Sequence, residues 1–163
     1  MALSKDVIEK GIEMELEGKK FYTDAAEKTS KEFERSMFAF LARQEDLHVL
    51  ILKRIGDELD RSQQWPEMSA LDWAKVDSKG FFEEERPLLE RITDITGDEV
   101  ELLRFAMDIE EKNRQFYLEL SDRTTDVKEK NILNRLAEEE SKHYNYVESY
   151  YRYFEDKGLR MNE

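Results

Sequence analysis

Apolar residues recur at intervals of three and four along four long stretches of the chain, which is the spacing of one face of an α-helix. Two stretches fall within residues 4–59 and two within residues 97–157, and a short polar turn separates the members of each pair. The turns centre on Ser30 and Thr125. The pattern therefore predicts two antiparallel helical hairpins and an all-α four-helix bundle.

Polar residues mark the predicted helix starts. Ser4 is expected to cap the first helix. Residues 29–32 (Thr-Ser-Lys-Glu) and 96–99 (Thr-Gly-Asp-Glu) are typical of capping boxes, in which a hydroxyl and a carboxylate satisfy the free amides of a helix start. Asp126 is expected to cap the fourth helix.

Residues 60–96 interrupt the helical pattern. Pro66 and Pro87 lie within this segment, and proline disrupts helix interiors. Short helices are expected at residues 66–75 and 81–91. We interpret the segment as one long crossover packed on the outside of the bundle.

The two predicted hairpins are copies of one another with an offset of 95 residues. Residues 41–48 (LARQEDLH) match residues 136–143 (LAEEESKH), and both segments end in Glu-x-x-His. They contain the only two histidines of the chain. The matched pairs are Glu15 and Glu110, Phe21 and Phe116, Tyr22 and Tyr117, Glu45 and Glu140, and His48 and His143.

Each predicted helix carries one glutamate on its apolar face. Glu15 and Glu45 lie fifteen residues on either side of Ser30, so an antiparallel hairpin places both about 22 Å from the turn at 1.5 Å per residue. Glu110 and Glu140 are likewise equidistant from the second turn. The four carboxylates are therefore expected at one level of the core.

Carboxylates in an apolar core repel one another, and each costs several kcal/mol to bury without a partner. No lysine or arginine falls on the same faces. Two divalent cations would balance the four charges, and each could take one imidazole, from His48 or His143. This donor set suits iron or manganese, with zinc as a further candidate. The alternative is a metal-free helical interaction protein.

Composition limits the remaining possibilities. The 163 residues fit a single domain, residues 1–163, and the formal charge of −13 argues against nucleic acid or an anionic membrane as a partner. The absence of cysteine excludes disulfides, iron–sulfur clusters and rubredoxin-type sites within this chain. A cytoplasmic location is expected, because the sequence begins without the apolar run of a signal peptide and has no stretch of roughly 20 apolar residues.

The motifs resemble those of the ferritin-like di-iron carboxylate proteins, and most closely those of the rubrerythrin family. The resemblance rests on Glu15 with Tyr22 seven residues later, and on Leu-Ala-x-x-Glu-x-x-His in both halves. It implies a ferritin-like bundle with two iron ions. The ligands it implies for the redox centre are Glu15, Glu45, His48, Glu110, Glu140 and His143, with Tyr22 and Tyr117 beside the site.

Two departures from the family pattern bear on activity. Rubrerythrins usually carry a second glutamate one turn after the third-helix ligand, and Asn113 stands there in this chain. They also usually end in a four-cysteine rubredoxin domain, which this chain lacks. The resemblance therefore implies a separate electron donor, such as a rubredoxin-type protein.

The resemblance implies a non-haem di-iron oxidoreductase that reduces hydrogen peroxide or O2. The alternative is an iron-binding, ferroxidase-like protein without peroxidase turnover. A homodimer is expected, since nothing in the sequence indicates the large shell that iron storage needs. Glu138 and Glu139, beside the second motif, are expected to face solvent.

Overall fold

Four long helices make up most of the protein. The computed structural model describes residues 2–73, 85–91, 95–156 and 161–162. In chain order the elements are α1 (Ala2–Lys28), α2 (Glu32–Ser62), a 3-10 helix (Met68–Ala70), α3 (Arg86–Glu90), β1 (Ile95–Thr96), α4 (Gly97–Arg123), α5 (Val127–Asp156) and β2 (Met161–Asn162).

The long helices pack as two hairpins. α1 lies along α2, and α4 lies along α5. The short strands β1 and β2 pair in parallel, with Ile95 opposite Met161. This architecture confirms the expected all-α, ferritin-like bundle. Within the described ranges, no helix is both long enough and apolar enough to cross a membrane.

Two predicted helix caps are confirmed. The Thr96 hydroxyl accepts the backbone amide of Glu99 at 3.1 Å and donates to the Glu99 carboxylate at 3.0 Å. The Asp126 carboxylate accepts the backbone amides of Lys128 and Glu129 at 2.9 and 3.1 Å. These bonds satisfy amides that the start of a helix otherwise leaves unpaired.

The predicted capping box at residues 29–32 is wrong. Lys31 occupies the N-cap position of α2, and its side chain makes no capping bond. Thr29 instead donates its hydroxyl to Oε2 of Glu34 at 2.5 Å. The hydroxyl is used for tertiary packing because Glu34 is itself buried.

Two helices are longer than predicted. α1 begins at Ala2 rather than at Ser4, and α2 continues to Ser62, beyond its expected end near residue 59. Gln63 then adopts a left-handed backbone with φ of 59°, and its amide donates to the carbonyl of Leu59 at 2.9 Å. This bond closes the helix with a left-handed turn.

The first part of the crossover is less helical than predicted where it is described. Within the described residues, the helix expected at residues 66–75 is reduced to the 3-10 helix Met68–Ala70, while α3 lies within the helix expected at residues 81–91. Residues 74–84 lie outside the described part of the chain. Trp65 and Leu71 are buried against the bundle, so the crossover supplies core residues as well as an outer layer. The assignment of the chain to one domain stays a prediction.

The apolar core consists of two clusters separated along every long helix. One cluster includes Phe38 and Leu103, and the other includes Leu52 and Leu136. On all four helices the matched glutamate lies between the segments that feed the two clusters. The glutamates therefore form a polar layer enclosed above and below by packed apolar side chains.

A separate buried carboxyl group, Glu34, lies at the turn end of the bundle. It is 1% exposed and accepts the hydroxyls of Thr29 and Tyr150. Glu99, which is ion-paired with Lys31, lies beside it. Burial and then the neighbouring Glu99 raise the pKa of Glu34 to about 7.

Glu34→Gln is expected to stabilise the protein by roughly 2 kcal/mol more at pH 8 than at pH 5. The unfolded carboxyl ionises near pH 4.5 and the folded one near pH 7. The folded state therefore holds a proton that the unfolded state has lost, and wild-type stability falls as the pH rises through this window. Urea unfolding at both pH values measures the difference. The exposed Glu32→Gln is the control, and an equal gain at the two pH values would contradict the assignment.

Candidate metal centre

The polar layer brings together all six residues that the sequence predicts as metal ligands. Each of them is 0% exposed. The glutamates come one from each long helix, and the histidines follow on α2 and α5. They are Glu15, Glu45, His48, Glu110, Glu140 and His143.

These residues form two overlapping groups that could each hold a metal ion. The first group is Glu15, Glu45, His48 and Glu140, and the second is Glu45, Glu110, Glu140 and His143. Within each group, one ligand atom from every residue lies within 4.8 Å of the others. Glu45 and Glu140 belong to both groups. The geometry suits two neighbouring cations that share two carboxylates.

Helical spacing explains how each motif reaches the same point. In Glu-x-x-His the two side chains are three residues apart, about one turn, so both lie on one face of the helix. The rings of His48 and His143 stack, with centroids 5.3 Å apart and planes inclined by 8°. The two copies of the motif therefore meet face to face in the middle of the bundle.

Each imidazole presents its Nδ1 atom to carboxylates. The Nδ1 atom of His48 lies 3.4 Å from Oε2 of Glu15 and 3.3 Å from Oε1 of Glu140. That of His143 lies 3.0 Å from Oε1 of Glu45 and 3.4 Å from Oε1 of Glu110. Both histidines thus offer the same nitrogen to the space between the carboxylates.

The two predicted tyrosines cross between the repeats. The Tyr22 hydroxyl donates to Oε1 of Glu110 at 2.5 Å, and the Tyr117 hydroxyl donates to Oε1 of Glu15 at 2.7 Å. Burial, and then the charge of the partner glutamate, raise the pKa of each tyrosine well above its ordinary value. Both hydroxyls therefore stay protonated and act as hydrogen-bond donors.

The four glutamates differ in their affinity for protons. Burial and then the neighbouring glutamates raise the pKa of Glu45 and of Glu140 well above the ordinary range. Burial also acts on Glu15 and Glu110, but a histidine and further hydrogen bonds outweigh it and lower the pKa of each. Without metal, the two shared carboxyls therefore hold a proton more strongly than the two others do.

Unpaired atoms show that this donor set fits cations. Oε2 of Glu45, Oε2 of Glu110 and both oxygens of Glu140 are buried without a hydrogen bond among the described residues. In that part of the chain, the ion pairs of these carboxylates involve only the two histidines. Buried carboxylates normally have partners, so open lone pairs beside two imidazole nitrogens are what a metal site requires.

One buried residue next to the site was not predicted. Glu139 was expected to face solvent, and this prediction is wrong, because its side chain is 0% exposed. Oε1 of Glu139 accepts Arg135 at 3.0 Å and Lys142 at 3.2 Å. The spacing of these cations, four residues before and three after, was the available signal. Glu138 is exposed, as predicted.

Asn113 and its counterpart Gly18 also lie next to the ligand layer. Asn113 is 2% exposed, and its Nδ2 atom has no partner within the described ranges. A Cβ atom added to Gly18 would lie 3.5 Å from Oε2 of Glu45. A small side chain at position 18 would therefore make an ordinary van der Waals contact with this carboxylate, while an amide occupies the matching position in the second half.

A helical bundle that gathers four glutamates and two histidines into two overlapping groups has the design of the carboxylate-rich metal proteins of ferritin-like fold. Comparison with protein families agrees with this class. Residues 6–151 match the family model described as rubrerythrin, and the chain belongs to the rubrerythrin family. No match was found among curated proteins or among solved structures.

Proposed function

We propose that the protein is a di-iron oxidoreductase that reduces hydrogen peroxide or O2 with electrons from a separate donor. The observation that carries this proposal is the pair of overlapping groups that share Glu45 and Glu140. Membership of the rubrerythrin family supports iron as the metal. Manganese and zinc are the alternatives that the same donors would accept.

Some of the proposed ligands would be shared by both ions, and the others would each bind one ion. Glu45 and Glu140 would bridge the ions, as their place in both groups indicates. The remaining ligands would be Glu15 with His48 for one ion, and Glu110 with His143 for the other. Two bound ferrous ions would supply the two electrons that reduction of one peroxide to two waters consumes, together with two protons.

The tyrosines would orient the outer ligands. Tyr22 holds Glu110 and Tyr117 holds Glu15 through short hydrogen bonds. Because both hydroxyls keep their protons, each bond restrains a carboxylate without competing for a cation. The apolar clusters on both sides of the layer would keep bulk water away from the ligands.

The proposed electron donor is a separate protein, such as a rubredoxin-type carrier. The chain contains no cysteine from which an iron–sulfur relay could be built.

We also propose a homodimer. Such a dimer could cover the ring of Phe105, which is 54% exposed and packs 4.8 Å from the ring of Phe21 within the same chain.

A ferroxidase-like protein without peroxidase turnover is the second candidate. Asn113 favours it, because an amide replaces the additional carboxylate that rubrerythrins usually carry at this position. An amide binds a ferric ion less well than a carboxylate does. The change would leave both principal ligand groups intact and would remove the family's exchange of ligands.

Rapid mixing of the ferrous protein with oxidants tests the proposal. We expect the iron to be oxidised at least about tenfold faster by hydrogen peroxide than by O2, and a reduced rubredoxin to sustain turnover. Faster reaction with O2, no turnover and a large hollow assembly would instead support iron handling. Protein purified without added metal that contains less than about one ion per chain, and takes up none, would refute both candidates.

A further inference from the structure

The two halves of the metal centre differ at one buried position. The repeat equates Gln44 with Glu139, and each residue directly precedes a shared glutamate, Glu45 or Glu140. Glu139 is 0% exposed and Gln44 is 5% exposed. One half therefore buries a carboxylate where the other buries a neutral amide, although the six proposed ligands and both tyrosines are the same in the two halves.

Cations fix the Glu139 carboxylate through only one of its oxygens. Nε of Arg135 and Nζ of Lys142 both donate to Oε1, at 3.0 and 3.2 Å. The Arg135 guanidinium in turn lies over the ring of Trp73, 4.9 Å from its centroid. Both cations are partly exposed, whereas Oε2 is buried and has no hydrogen-bond partner among the described residues.

The first half lacks this arrangement. The residues that correspond to Arg135 and Lys142 are Phe40 and Leu47. No cation therefore stands at the matching positions around Gln44. The two halves therefore differ at three positions together, because the second half has both the Glu139 carboxylate and the two cations, Arg135 and Lys142, that bind it.

Four more buried polar atoms around the centre, besides the ligand oxygens and the Asn113 amide, have no hydrogen-bond partner among the described residues. The repeat relates Nε2 of His48 to Nε2 of His143, and Oε2 of Glu139 to Oε1 of Gln44. Burial lowers the pKa of His48, but the charge of Glu15 raises it, and Glu139 adds to this effect. Glu139 therefore lies close enough to His48 to act on its charge.

Metal binding would turn these atoms into hydrogen-bond donors and acceptors for one another. A cation held by Nδ1 leaves the imidazole proton on Nε2, where it needs an acceptor. Glu139 would supply a charged acceptor to His48, directly or through one water, and Gln44 a neutral one to His143. A carboxylate behind a ligating histidine makes the imidazole a stronger ligand, and loss of such a partner typically costs 10- to 100-fold in metal affinity.

We propose that Glu139 makes the two cation positions unequal, so that the position formed by Glu15 and His48 binds its cation more tightly and fills first. This inference rests on the proposed two-metal function. It concerns the order of loading, which metal binding reports without any turnover.

Labelling the histidines with 15N reads each position separately, because the chain has only two histidines. At one equivalent of Zn2+ per metal-free chain, a 10- to 100-fold difference in affinity predicts about three to ten times more bound signal from His48 than from His143. In Glu139→Gln the two signals should be nearly equal. In the double variant Gln44→Glu/Glu139→Gln, which exchanges the two residues, His143 should fill first.

Equal occupancy in the wild type, or an unchanged preference in Glu139→Gln, would overturn the proposal. If Glu139→Gln does not fold, Gln44→Glu alone gives the same test by adding a carboxylate, and a preference that persists there also overturns it. Failure to bind two ions in excess Zn2+ would refute the two-metal function itself. The two failures are therefore distinguishable.

Discussion

Two bound divalent cations are expected to raise the melting temperature of the protein by roughly 10–20 °C. An ion at about 100 times its Kd adds about 2.7 kcal/mol per site, and a domain of this size gains roughly 2–4 °C per kcal/mol. The cause is the polar layer, in which buried carboxyls without a cation repel one another. Calorimetry of the chelated protein and of the same sample reloaded with Fe2+ under argon measures the shift.

The gain should increase with pH. Because the pKa of Glu45 and of Glu140 is raised in the metal-free protein, an incoming cation must displace their protons, which is easier at pH 8 than at pH 6. Glu138→Ala changes an exposed neighbour and should show the full wild-type shift. Equal melting temperatures with and without metal would contradict the link between folding and the centre.

Glu140→Gln is expected to have opposite effects on the metal-free and the metal-loaded protein. Without metal it should stabilise the fold by about 1–3 kcal/mol at pH 8, because it removes a buried group that must either hold a proton or repel three other carboxylates. With metal it should abolish the stabilisation, since Glu140 belongs to both ligand groups. The unfolded carboxyl ionises near pH 4.5, so the metal-free gain should grow as the pH rises above that value.

Metal content and urea unfolding of matched variants measure these effects. Glu138→Gln makes the same chemical change at an exposed site and should alter neither quantity. Glu110→Gln removes a ligand found in only one group and should leave about one ion per chain. Two retained ions in Glu140→Gln, or a metal-free variant less stable than the wild type, would rule out the bridging role proposed for this residue.

The repeat explains why much of the fold and site could be predicted from the sequence. The chain contains two copies of a helical hairpin, each centred on a turn and each containing one Glu-x-x-His motif. In such a hairpin, the number of residues between a glutamate and the turn determines the height of that glutamate. The order of residues along one helix fixes their height and face, and the structure brings Glu15, Glu45, Glu110 and Glu140 to one level. Local capping chemistry at residues 96–99 could be predicted for the same reason.

Features that depend on contacts between helices were missed. Glu139 is one residue from Glu140 and points about 100° away around the helix, so only the neighbouring helices decide that it is buried. Thr29 binds Glu34 rather than capping α2. The sequence placed Tyr22 and Tyr117 beside the site, but not the exchange by which each one binds a glutamate of the other repeat.

That exchange, with the parallel stacking of the two histidine rings, gives the centre an approximate twofold axis running between the rings. Each hairpin contributes three residues to one ligand group and the fourth residue to the other, and neither could enclose two ions by itself. A polypeptide half as long could therefore assemble the same centre by associating with an identical copy. In an assembly of identical copies, both halves of the centre must have the same residues. Once two copies are fused into one chain, each half can acquire its own substitutions, as at Gln44 and Glu139.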